Sequence, residues 1–190
     1  FKWEKTHENL RFIQQDILLD EAQSILGDDY DIIILRDVIE HISLKNKYQF
    51  MATLRKFTSS KGIILMSFPP FYSPFGLHQQ TFLKSFLKKI PYLSWIPGSI
   101  LDVLLKLFGE SDNARADVKE IRECQMTLSR FKKMVKQLNY PIEHEKNYLI
   151  RPSHELRYGW KLRESRLASV PILREIFILG SVFKLSMSQD

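Results

Sequence analysis

Uninterrupted aliphatic runs alternate along this chain with segments whose apolar residues recur every three or four positions. Tyr30-Asp31-Ile32-Ile33-Ile34-Leu35 and Gly62-Ile63-Ile64-Leu65-Met66-Ser67-Phe68 are runs of the first kind. They predict parallel strands buried on both faces, where in-out alternation is not needed. Asn9-Leu10-Arg11-Phe12-Ile13, ending near Asp16, predicts an earlier strand; Ile176 to Leu185 predicts a last one, and Ile142 to Ile150 a weaker fifth. After Ser43, a candidate N-cap, Leu44, Tyr48, Met51, Leu54 and Phe57 follow at spacings of 4, 3, 3 and 3. That stripe predicts an amphipathic helix, closed by Lys61-Gly62. Leu128, Phe131, Val135 and Leu138, after Thr127, predict a second helix that stops at Asn139-Tyr140-Pro141.

Strands alternating with helices imply an α/β sheet with right-handed crossovers. With no internal repeat or linker, 1–190 reads as a single domain. Within it, Pro69 to Gln125 is too long for a plain connection and reads as a cap or lid. It opens PPFYSPFGLHQQ and continues with Phe82, Leu83, Phe86, Leu87 and Ile90 on one helical face, Lys84, Lys88 and Lys89 on the other, and then the apolar run Ile100 to Phe108.

Composition narrows the function classes. Of 190 residues, 44% are hydrophobic and 26% charged, which is ordinary for a globular protein. The net charge of +6, with a pI of about 9.3, suits anionic partners or a solvated basic surface. Cys124 is the only cysteine, which excludes an internal disulfide and a thiolate metal cluster and suits the reducing cytoplasm. Phe1-Lys2-Trp3-Glu4-Lys5 is charged and lacks the apolar core of a secretory signal. Tyr92 to Phe108 is interrupted by Pro97, Asp102 and Lys106, too broken to cross a bilayer. The stretch 82–108 fits either a cap packed on the sheet or a peripheral contact with anionic membrane. Aromatic and basic residues do not interleave as on a nucleic-acid platform, so no nucleic-acid partner is expected.

YDIIILRDVIEHI, at Tyr30 to Ile42, resembles the fourth strand and following turn of class I S-adenosylmethionine-dependent methyltransferases of the small-molecule group. Asp31, Val38, Glu40 and His41 fall on that pattern. Upstream, NLRFIQQDI resembles the third strand and its acidic end; downstream, the order of elements to the closing strand pair follows the family. The resemblance implies a Rossmann-like methyltransferase sheet ending in an antiparallel strand pair, with a helical cap insertion. It also implies S-adenosylmethionine as cofactor and a small or lipid-like acceptor methylated on O, N or C. One departure is large. Gly27, Gly62, Gly76, Gly98, Gly109, Gly159 and Gly180 are too scattered to form the family's glycine-rich loop, so the chain resembles the C-terminal part, lacking the first two strands. The sheet edges left unpaired offer a route to a homo-oligomer. A binding module without catalysis, or another nucleotide-dependent Rossmann enzyme, remains an alternative.

The resemblance assigns cofactor contacts to Asp16 and Ile17 at the adenine, and to Leu35, Arg36 and Asp37 toward the methionine side. For Asp16 the other reading is a surface carboxylate; for Leu35 it is a core position. Asp37, Glu40 and His41, at i, i+3 and i+4, share one face if the turn is helical. His41 is a candidate base, or Glu40 and His41 only stabilise the turn. The trio also resembles the divalent-metal cluster of ubiquinone-type O-methyltransferases, yet two carboxylates and one imidazole leave a Mg²⁺ shell dependent on several waters, so no metal is assigned. His78, in the loop after Phe68, overhangs the same strand ends and is the second candidate base, with Phe71 and Tyr72 as candidate pocket walls.

Overall fold

The computed structural model describes residues 9–187; the charged leader therefore lies outside the described residues, as do 188–190. In chain order the elements are α1 (Ala22–Leu26), β1 (Tyr30–Arg36), α2 (Leu44–Phe57), β2 (Thr58–Phe68), α3 (Gln79–Phe82), α4 (Gly98–Leu107), α5 (Asp112–Cys124), α6 (Leu128–Gln137), β3 (Ile142–Ile150), α7 (Pro152–Tyr158), β4 (Arg163–Glu164), α8 (Pro171–Phe177) and β5 (Gly180–Ser186). The sheet order is β1-β2-β5-β3-β4. β1 and β2 are parallel, joined by the α2 crossover, whereas β5 runs antiparallel to both β2 and β3, between which it lies. This is the α/β, Rossmann-like arrangement with a closing antiparallel pair that the resemblance implies.

The main core lies between one sheet face and α2 and α6. Ile64, Met66 and Phe68 from β2 and Phe183 and Leu185 from β5 meet Met51, Leu54, Phe131 and Val135. α6 is held at both ends. The Thr127 hydroxyl accepts from Arg130 N at 3.1 Å, and the Glu175 carboxylate of α8 accepts from the amides of Leu128 and Ser129 at 3.0 and 2.7 Å. These bonds satisfy amides that have no partner within the helix, and they place negative charge at its positive end. At the other end the Arg55 guanidinium donates to the carbonyl of Leu138 at 2.6 Å. Residues 69–125 gather around a second cluster, which includes Phe71, Leu87, Leu101, Leu105, Val118 and Ile121.

Several elements depart from the sequence reading. Asn9 to Ile13 is not a strand; among the described residues β1 pairs with β2 alone, and a lone extended segment has no ladder to join. β1 is covered on one face only, with Ile32 and Ile34 55% and 69% exposed, so its aliphatic run is not buried on both sides. The stripe of α2 is rotated: Lys47, Phe50, Met51, Leu54 and Phe57 are buried, while Leu44 and Tyr48 are exposed. The Lys47 ammonium goes inward because it donates to the carbonyls of Ile39 and Ile42, which open and close the preceding 3₁₀ turn. α2 stops at Phe57 and β2 begins at once, so Lys61-Gly62 lies within the strand rather than closing the helix. Phe82 to Ile90 is no continuous helix but a short α-turn followed by a 3₁₀ turn over Phe86–Lys89. The run from Ile176 splits, its first two residues finishing α8, which opens on Pro171.

Candidate active site

Three strand ends converge on one cleft. At the end of β1 the backbone turns through Asp37, whose φ of 52° is left-handed and whose amide donates to the carbonyl of Ser67 at 2.9 Å. A 3₁₀ turn, Ile39–His41, follows. At the end of β2 the loop from Pro69 folds back so tightly at Gly76 that a Cβ there would lie 2.1 Å from the carbonyl oxygen of Phe71. This turn delivers His78, itself left-handed at φ 54°, over the end of β1. β3 ends at Ile150, and Arg151 reaches back across the start of β5. Gly180 makes room for it, since a Cβ there would lie 2.6 Å from Arg151 Cδ. Arg36, Asp37, Pro69, His78, Arg151 and His154 line a cavity of about 130 Å³.

The ionisable groups of the cleft divide into two sets. Arg151 donates through one terminal nitrogen to both carboxylate oxygens of Asp37, at 2.7 and 2.8 Å. Behind them Glu40 is 3% exposed, and neither of its carboxyl oxygens has a hydrogen-bond partner among the described residues. Its Oε1 lies 3.5 Å from Nε2 of His78. The ring of His78 meets that of His41 edge-on at 5.4 Å and stacks on Phe82 at 6.0 Å. Burial, then the nearby Asp37 charge, raises the Glu40 carboxyl to about 8. Burial, and then His41, lowers His78 to about 4. At neutral pH the pair is therefore an un-ionised acid facing an un-ionised imidazole, and a base needs that free lone pair.

The same pair gives a pH signature. Between pH 4.5 and 6.5 the folded state holds a proton on Glu40 that the unfolded state has lost. Over the same range it lacks one on His78 that the unfolded state keeps, so the two contributions oppose each other. Above 6.5 the Glu40 contribution dominates, partly offset near pH 8 by Lys47, which burial lowers to about 8, and stability falls as pH rises toward 8 by about 1 kcal/mol. Urea unfolding at pH 6.5 and 8 is expected to show that fall, and Glu40→Gln is expected to abolish it. An equal fall in the variant would place the titrating group elsewhere.

The structure brings Arg36, Asp37 and His78 to the cleft lining, with His41 against His78 behind it. Leu35 packs against the main core, as does Ile17, and neither lines this cavity. Asp16 is not among the lining residues, and its Oδ1 accepts from the amide of Leu18 at 2.9 Å. Asp37 precedes the helical turn and its side chain turns to Arg151, so Asp37, Glu40 and His41 do not form one face. The atoms that do gather are single ligand atoms from Glu40, His41 and His78, all within 4.8 Å of one another. One carboxylate with two imidazoles suits a borderline divalent ion better than Mg²⁺. Binding one would require Glu40 to ionise, against its burial. Arg151 was not legible as a site residue, because no local pattern links it to Asp37, 114 positions away. Lys47 left a signal, since it sits in register with Met51 and Leu54 on the apolar stripe.

No family model and no curated protein matches the chain. Among solved structures it is similar to magnesium protoporphyrin IX methyltransferase from Synechocystis PCC 6803, at 15% identity and a TM-score of 0.42 over 93% of this chain and 51% of that one. It is also similar to a SAM-dependent methyltransferase from Archaeoglobus fulgidus, at 11% identity and a TM-score of 0.45 over 92% of this chain and 66% of that one. The plantazolicin methyltransferase BamL gives 11% and 0.47, over 92% of this chain and 59% of that one. The chain thus spans about half to two thirds of the length of these structures, and no residue role here follows from them.

Proposed function

We propose that this chain carries the acceptor side and part of the cofactor side of an S-adenosylmethionine-dependent methyltransferase acting on a small or lipid-like molecule. The observation that supports this most is the position of His78. A neutral imidazole, backed by an un-ionised Glu40, overhangs the carboxyl end of β1, the place where open α/β sheets bind their ligands. Methyl transfer from a sulfonium is an in-line displacement whose main demand is position. An oxygen or carbon nucleophile must also lose a proton, which His78 is placed to take. Residues 69–125 then act as a cap over the acceptor, and Arg36 and Asp37 contact the donor.

Calorimetric titration with S-adenosylhomocysteine tests the reading. Saturable binding is expected, weakened about tenfold or more (roughly 1.4 kcal/mol) by Asp37→Ala, which also releases Arg151. Binding of a nicotinamide dinucleotide in its place would assign the cleft to another Rossmann enzyme class. The scattered glycines favour a binding module without catalysis as the second reading; homocysteine-product binding with no methyl transfer to any acceptor would select it.

A further inference from the structure

We propose that the outer face of α4 docks on a membrane surface that carries anionic lipid. α4 buries Leu101 and Leu105 against the second cluster. At about 100° per residue, Ile100, Val103 and Leu107 fall within a 60° arc on its far side. They are 54%, 55% and 77% exposed, where a helix of a purely water-soluble surface carries polar residues. The apolar face continues beyond the helix. Phe108 follows it, Trp95 precedes it, and Phe86 stands on the adjoining loop, each at least half exposed. That loop is fixed beside the end of α4 by Glu110, whose carboxylate accepts from the amides of Lys84 and Ser85 at 3.1 and 2.7 Å. Trp95 is held by its indole N–H, which donates to the carbonyl of Tyr72 at 3.0 Å, and its half-exposed ring meets those of Tyr72 and Tyr92 edge-on.

The charges around this face select the occupant. Lys84 and Lys89 are exposed and carry the positive charge of this face, whereas Lys106 and Arg115 are matched by the carboxylates of Asp102 and Asp112. Glu110 is buried and already holds backbone amides. A stripe of aliphatic and aromatic side chains rimmed by lysines, with a tryptophan at its edge, matches the headgroup boundary of an anionic bilayer. Among the described residues no helix is long and apolar enough to cross a membrane, so the contact is peripheral. The inference does not depend on methyl transfer, and its experiment reads binding alone.

Vesicle co-sedimentation tests it, using the 190-residue protein with phosphatidylcholine vesicles that contain or lack phosphatidylglycerol. Binding is expected with phosphatidylglycerol, weaker by about tenfold without it, and reduced by rising salt. The double variant Val103→Ser, Leu107→Ser is expected to lose about tenfold in binding, and the charge reversals Lys84→Glu, Lys89→Glu to match that loss. Because all four side chains are solvated or half-solvated, thermal melts should match the parent protein. Quenching by brominated lipid is expected to disappear in Trp95→Phe. No binding to either vesicle, binding unaffected by these substitutions, or a dimer in ultracentrifugation that Leu107→Ser dissolves would each overturn the proposal, the last in favour of a second copy on this face.

Discussion

Phe183→Ala is expected to destabilise the fold by about 3–5 kcal/mol, the range for emptying a large aromatic from a packed interior. Phe183 has no exposed surface, and its ring lies 4.4 Å from that of Phe131 and 5.8 Å from that of Phe68. Those three rings join β5, α6 and β2, so the vacancy opens where sheet and helix layer meet. Total stabilities of roughly 5–15 kcal/mol make such a loss a large share of the whole. Urea unfolding measures it directly, with an unchanged slope showing that the denatured state is unaltered. Phe183→Leu, which keeps most of the volume, should cost much less. A loss below about 1 kcal/mol for the alanine would mean that β5 does not occupy the centre of the sheet.

His78→Ala carries the largest expected effect on chemistry. If His78 takes the proton of the acceptor, its removal should lower methyl transfer by roughly 10²–10⁴-fold while leaving S-adenosylhomocysteine binding nearly unchanged. The pH profile supplies a sharper readout than the rate. With its imidazole lowered to about 4, the acid limb of transfer should lie near pH 4. A limb near 6.5, the ordinary imidazole value, would move the role away from His78. His78→Gln, which keeps a polar side chain but no basic nitrogen, should be as inactive as the alanine.

How legible these features were depends on the range over which each is decided. β2 and α6 were legible because their signals are local: an aliphatic run ended by Pro69-Pro70, and a stripe opened by Thr127. β3, though weakly marked, falls on the bounds read for it. α5 was missed although Ser111 caps it and Ala114, Val118, Ile121 and Cys124 recur along its buried face. Those side chains are small or sparse beside the surrounding charges, so the stripe is faint. Asn9 to Ile13 has strand-like composition, but a strand is made by its partner and composition does not supply one. The apolar run from Ile176 suited either helix or strand, and Pro171 at the first position of α8 decided its beginning. In the cleft, residue types were readable but their pairing was not. Asp37 turned to Arg151 and Glu40 to His78, through contacts that depend on where Gly76 and Gly180 let the chain pass.

The placement of β5 has a consequence for how the protein is made. Met66 lies opposite Phe183 across the sheet, and Tyr148 opposite Gly180. At a ribosomal pace of about 5–20 residues per second, β2 emerges on the order of ten seconds before the strand that completes it. Throughout that interval the nascent chain exposes the open ladder of β2, joined for its last few seconds by that of β3, at which another polypeptide could pair. The arrival of β5 therefore acts as a zip fastener. A chaperone that shields those ladders, or a codon choice that hastens the stretch leading to β5, should raise soluble yield more than any substitution in the cleft.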